Sequence, residues 1–137
     1  MVTTINTNNV SNFNNTVLTS DTQLSQQGRM YFDAGNYTAA WYCYNEAIKI
    51  APNEQYYYYM RGACNCGKGD FQGALSDYNI ALSLAKNNIQ KGPIHLDMAI
   101  VYAFLGDDKN SINQIVLAAK CAHPIAIEQC VKHGIPY

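Results

Sequence analysis

Charge is scarce in this chain. Only 14% of its 137 residues are charged, the net charge is −1, and no block of Lys or Arg stands out. That composition excludes the basic footprint expected of a nucleic-acid or anionic-membrane binder. Long hydrophobic runs are missing too. Hydrophobic residues make up 48% of the chain, yet no stretch approaches the roughly 20 apolar residues that cross a bilayer. The first residues, MVTTINTNNVSNFNNTVLTS, show neither a basic n-region nor an apolar h-region, so no signal peptide is expected. A phosphate-cradling glycine loop is absent, since Gly67 and Gly69 flank Lys68 in a turn between helices. No Ser–His–Asp order follows from spacing. Asp77, Asp97, Asp107, Asp108 and Glu128 are scattered over expected helix surfaces and caps. The chain is therefore read as no enzyme, with no cofactor.

What remains is enough for one domain with a core. Six Asn and several Thr and Ser crowd residues 1–20, which lack periodicity and read as a flexible tail. Five cysteines, Cys43, Cys64, Cys66, Cys121 and Cys130, make an odd count without a secretion signal. Free thiols in a reducing, cytoplasmic compartment are expected, mostly as small buried hydrophobes.

A repeat organises residues 21–137. Gly28 recurs as Gly62, Gly35 as Gly69, Ala40 as Ala74, Tyr44 as Tyr78 and Ala47 as Ala81, each 34 residues on. A third copy follows 37 residues later, with three residues inserted near Asn88 to Lys91 and with Ala99, Tyr102, Gly106, Ser111, Ile115 and Ala118 in the matching places. Ala40, Tyr44, Ala47 and Ile48 fall on one helical face, as do Ala74, Tyr78, Ala81 and Leu82. Asn36 and Asp70 suit N-caps, Gly35 and Gly69 suit left-handed helix ends, and Pro93 suits a first helical turn. Helices are predicted at 22–34, 37–50, 54–67, 71–84, 93–105, 108–121 and 124–133.

In length and residue pattern these copies resemble the tetratricopeptide repeat family. The resemblance implies an all-α, right-handed solenoid of three antiparallel helix pairs. The repeats span about 21–54, 55–88 and 92–123, and a seventh helix, 124–133, caps the stack. It also settles the aromatic run YYYY at 56–59, which composition alone would assign to a strand. On a helix the four rings point four ways. Tyr58, the counterpart of Leu24, is expected to be buried within its pair. Tyr57 should lean on the preceding helix near Ile48, and Tyr56 and Tyr59 should face the concave side.

The family's first helices line a groove. Carried onto this chain, the lining is Arg29, Phe32 and Asp33, then Tyr56, Tyr59, Ala63 and Cys66, then Leu96, Ile100 and Phe104, with Ser25 and Ala103 beside them. The resemblance implies a protein–protein interaction module that binds a peptide or protein segment in this apolar groove. Some members clamp acidic C-terminal peptides. The clamp places here are Ser25, Arg29, Met60, Pro93 and Asp97, of which Arg29 alone suits a carboxylate, so that ligand class is not expected. A rival reading is a self-associating scaffold, a homodimer covering the unmatched ends of the stack. Below it stands metal binding by Cys121, His123, Cys130 and His133, whose spacing lacks a tight Cys-x-x-Cys knuckle. Packing in the end cap is the preferred reading of those four, and no metal site is assigned. Cys64 and Cys66, two apart on a helix, point to different sides and cannot act together. Cys66 alone is left facing the groove as a thiol.

Overall fold

Short polar side chains set where the helices begin, and left-handed residues set where they stop. The structure, a computed structural model, describes residues 20–137. The tail expected over 1–20 lies outside them except for Ser20. Among the described residues there are seven helices and no strand: α1 (Asp21–Asp33), α2 (Tyr37–Ile50), α3 (Gln55–Gly67), α4 (Phe71–Leu84), α5 (Asn88–Phe104), α6 (Asp108–Lys120) and α7 (Pro124–His133). They form three antiparallel pairs, α1–α2, α3–α4 and α5–α6, stacked as a right-handed solenoid and closed by α7.

Within each pair the same turn recurs. Asn36, Asp70 and Asp107 accept hydrogen bonds from the amides of Ala39, Gly73 and Asn110 at 3.1, 2.9 and 3.1 Å. The residue before each cap, Gly35, Gly69 or Gly106, is left-handed. The cap amides close the preceding helix by donating to the carbonyls of Tyr31, Asn65 and Tyr102 at 2.8, 2.8 and 2.9 Å. Between α6 and α7 the same bond runs from the His123 amide to Ala118 at 3.1 Å, but the left-handed residue is Ala122, at φ 60°.

The predicted ends hold within a residue or two except at α5. That helix starts at Asn88, not at residue 93, and Pro93 lies inside it. The three inserted residues supply about one extra turn. Asn87 accepts from the Gln90 amide at 3.0 Å, and Gln90 Oε1 accepts from the Lys86 amide at 2.6 Å. This reciprocal cap fixes a helix start upstream of the proline.

The core follows the repeat. Tyr44 and Tyr78 are buried at 0% and 1% exposure, each against a glycine of the facing helix. A Cβ on Gly28 would meet the Tyr44 ring at 3.0 Å, and one on Gly62 the Tyr78 ring at 2.7 Å. In the third copy Ala99 and Ser111 replace the glycine and the small alanine, and Ser111 Oγ donates to the Ala99 carbonyl at 2.9 Å. Ile115 replaces the tyrosine and packs on the cluster between α6 and α7. A third cluster of Ala118, Ala119, Ala126 and Cys130 seals α6 against α7.

Two sequence expectations need correction. Tyr57, not Tyr58, is the buried member of the aromatic run. It packs in the first core cluster, and its hydroxyl donates to Asp21 Oδ2 at 2.6 Å. Tyr58 is half-buried against the second cluster and donates to the Pro52 carbonyl at 2.8 Å. A tyrosine in the place of Leu24 has a polar tip that must reach out of the pair. Asp77, expected on a surface or cap, is 4% exposed. It takes both the Nη2 and Nε hydrogen bonds of Arg61, at 2.6 and 2.9 Å, and a third from Asn65 Nδ2 at 3.1 Å.

Candidate functional site

The three first helices of the pairs bring their C-terminal halves together around an open apolar cavity of about 280 Å³. Phe32 reaches it from α1, Ala63 and Cys66 from α3, and Ile100, Val101 and Phe104 from α5. The second helix of the middle pair adds Phe71 and Tyr78. Phe71 stacks on Phe104 with centroids 5.5 Å apart and planes 8° apart. Phe104 is nonetheless 72% exposed and Ile100 49% exposed, so the apolar lining opens to solvent.

The charged element in this lining is Asp97. Its Oδ2 accepts a hydrogen bond from the Tyr59 hydroxyl at 2.8 Å. Burial raises the Asp97 pKa above the ordinary carboxylate value, against the opposing pull of the Tyr59 bond and of His123. Cys66 Sγ lies 3.5 Å from the Tyr78 hydroxyl, and burial raises its pKa too, which holds the thiol protonated. Cys43 and Cys64, deeper in the core, are pushed up to about 12 by burial.

Of the ten residues expected to line the groove, five meet in this cavity: Phe32, Ala63, Cys66, Ile100 and Phe104. Arg29, Asp33 and Tyr56 stand at the α1 end. Arg29 Nε donates to Asp33 Oδ1 and Oδ2 at 3.0 and 3.2 Å across one helical turn, both side chains being exposed. Tyr56 and Asp33 together raise the Arg29 pKa. Tyr56 sits edge-on to Tyr44 at 6.3 Å. Tyr59 turns inward, packing against the first two core clusters and 5.9 Å from the Tyr78 ring. It therefore supports the floor of the groove, so truncating it to alanine also removes core packing. Leu96 departs from the groove and packs on the α6–α7 cluster. Val101, Phe71, Tyr78 and Asp97 line the cavity without having been assigned to the groove. Asp97 had entered as a clamp place, and a lone carboxylate four residues after proline carries no pattern that marks it as lining.

The remaining clamp places do not converge on a ligand. Met60 is buried, and Pro93 lies within α5. At the C-terminal end Cys130 is buried in the cap while His133 is exposed. Among the described residues no three His, Cys, Asp or Glu side chains gather as a metal cluster.

The model of the TPR repeat matches residues 28–65, the stretch from Gly28 through α2 and into α3. Over that stretch the chain matches the tetratricopeptide repeat. Photosystem I assembly protein Ycf3 of Prochlorococcus marinus (strain NATL2A) is 34% identical over 71 residues, covering 48% of this chain and 41% of that protein. The same protein of strain MED4 is 36% identical over 70 residues, covering 47% and 40%. The matched region thus spans about two-fifths of the length of these relatives. Among solved structures, the first TPR of Spaghetti (RPAP3) bound to the HSP90 peptide SRMEEVD superposes with a TM-score of 0.72 at 19% identity, over 82% of this chain and 89% of that one. PcrH in complex with the chaperone binding region of PopB gives 0.72 at 20%, over 84% and 96%. These likenesses show the fold, and the tetratricopeptide fold supports a protein–protein interaction module. No helix among the described residues is long and apolar enough to cross a membrane.

Proposed function

We propose that this tetratricopeptide chain binds a segment of a protein partner in the groove between Phe32, Ile100 and Phe104, acting as a binding module and not as an enzyme. The observation that carries the reading is the exposed Phe104–Ile100 edge beside a cavity that opens to solvent. A large aromatic at 72% exposure, backed by a second ring, is an anchor in want of a partner. The groove is built on helices whose ends are capped, so a ligand meets a preformed surface and little ordering is required of the protein. The Ycf3 relatives are named for the assembly of photosystem I, and a groove that holds a segment of another protein suits an assembly role of that general kind.

The test is a double variant, Phe104→Ala with Ile100→Ala, in the full chain. Both side chains are largely exposed, so the helical signal and melting transition should change little. Affinity for a peptide selected on the wild type should fall by at least tenfold, about 1.4 kcal/mol. Unchanged affinity would move the binding surface off this groove. The rival, a homodimer, predicts instead a molar mass by light scattering that rises with concentration and falls in the double variant.

A further inference from the structure

We infer that the groove selects a basic residue, Lys or Arg, placed next to an apolar anchor in the bound segment, with Asp97 as the group that receives it. The inference rests on the groove reading above and adds to it the chemistry of the ligand.

Three observations converge. First, the lining is mostly apolar and its one charged member is Asp97, which lines it together with Ile100 and Val101. A long methylene stem ending in a cation matches such a channel, since the stem lies along apolar surface while the tip meets the carboxylate. Second, Asp97 is only half satisfied. Tyr59 donates to Oδ2, and among the described residues no hydrogen bond reaches Oδ1. A partly buried carboxylate in that state gains from a charged donor. Third, apart from His123, whose pull on Asp97 is outweighed by burial, the charged side chains around the groove are engaged elsewhere. Arg29 is engaged with Asp33 at the α1 end, Arg61 with Asp77, and Lys68 lies over the Trp41 ring. The groove also lies at the C-terminal halves of α1, α3 and α5, where helix dipoles favour a cation. A carboxylate-ended ligand would meet Asp97 and these helix ends with the wrong sign.

The test is selection of a phage-displayed random dodecapeptide library on three full-length proteins: the wild type, Asp97→Asn, and the Phe104→Ala/Ile100→Ala variant. Asparagine keeps the size of the side chain and can still accept the Tyr59 bond. The expected result is that wild-type peptides carry Lys or Arg beside an apolar residue. Replacing that basic residue by Gln in a synthetic copy should weaken binding by about tenfold or more. On Asp97→Asn the Lys and Gln copies should bind alike. Wild-type peptides that are apolar without a basic residue, yet are lost on the Phe104/Ile100 variant, overturn the charge selection and leave the groove standing. Peptides recovered equally on the Phe104/Ile100 variant overturn both. If no peptide is recovered until residues 1–19 are removed or the protein is diluted, the groove belongs to the chain itself or to a second copy, and the proposal falls.

Discussion

A methyl group on Gly62 would meet Tyr78 Cε1 at 2.7 Å and the Ala74 carbonyl at 3.3 Å, with a buried ring that has nowhere to go. Gly62→Ala should therefore lower stability by about 1–3 kcal/mol despite its better helix propensity, as read from the urea midpoint. Ala122 poses the opposite case. It occupies the left-handed place that Gly35, Gly69 and Gly106 hold in the other turns. Ala122→Gly should raise stability by up to about 1 kcal/mol by relieving that strain, with a higher melting temperature as the readout. Asp97 has a consequence for pH. Its folded pKa lies above the unfolded one, so the folded state binds the extra proton between the two values. Stability attributable to this group therefore falls as pH rises through that window, and the penalty is complete above it. Asp97→Asn should unfold at higher urea than the wild type at neutral pH, and the gap should close on acidification. The recurrence of Gly62 and Tyr78, each 34 residues after its first copy, was legible in the sequence. The burial of Tyr57 was not. Adjacent rings on a helix look alike to periodicity, and the choice was made by Asp21, 36 residues away, accepting the Tyr57 hydroxyl bond.

At the level of elements, α3 and α4 are fastened by a polar joint that the repeat does not announce. Arg61 forms a two-point pair with Asp77, donates through Nη1 to Asn45 Oδ1 at 2.9 Å, and lies 5.6 Å from the centres of the Trp41 and Tyr58 rings. The joint therefore spans α2, α3 and α4. Asp77→Ala would leave the guanidinium poorly hydrated and without its partner, which should cost about 3 kcal/mol in denaturant unfolding. A single charged residue in a helix reads as solvent-facing, and its buried state follows only from a partner 16 residues away. Helix existence, by contrast, was legible almost throughout, because caps and glycines are local signals. The exception, the start of α5, came from weighting Pro93 above the Asn87–Gln90 cap that lies before it. Proline is tolerated here inside the helix, in a turn that begins beside the exposed Ile89.

The whole molecule is three helix pairs whose apolar stripes cover one another and whose first helices share one flank. Because the stack is short, that flank receives side chains from every pair, and its lining followed from the repeat for Phe32, Ala63, Cys66, Ile100 and Phe104. Leu96 fell outside because it packs on the cluster between α6 and α7, and the acid in the lining stood apart from any repeated pattern. Chemical-shift mapping of a selected peptide on the isotope-labelled full chain tests the central claim most directly. Perturbations confined to the residues around the cavity, those of α1, α3 and α5 with Phe71 and Tyr78 of α4, and largest at Phe32, Ile100 and Phe104, are the predicted result. Perturbations centred on the outer faces of α2, α4 and α6, or on the free face of α7, would contradict it.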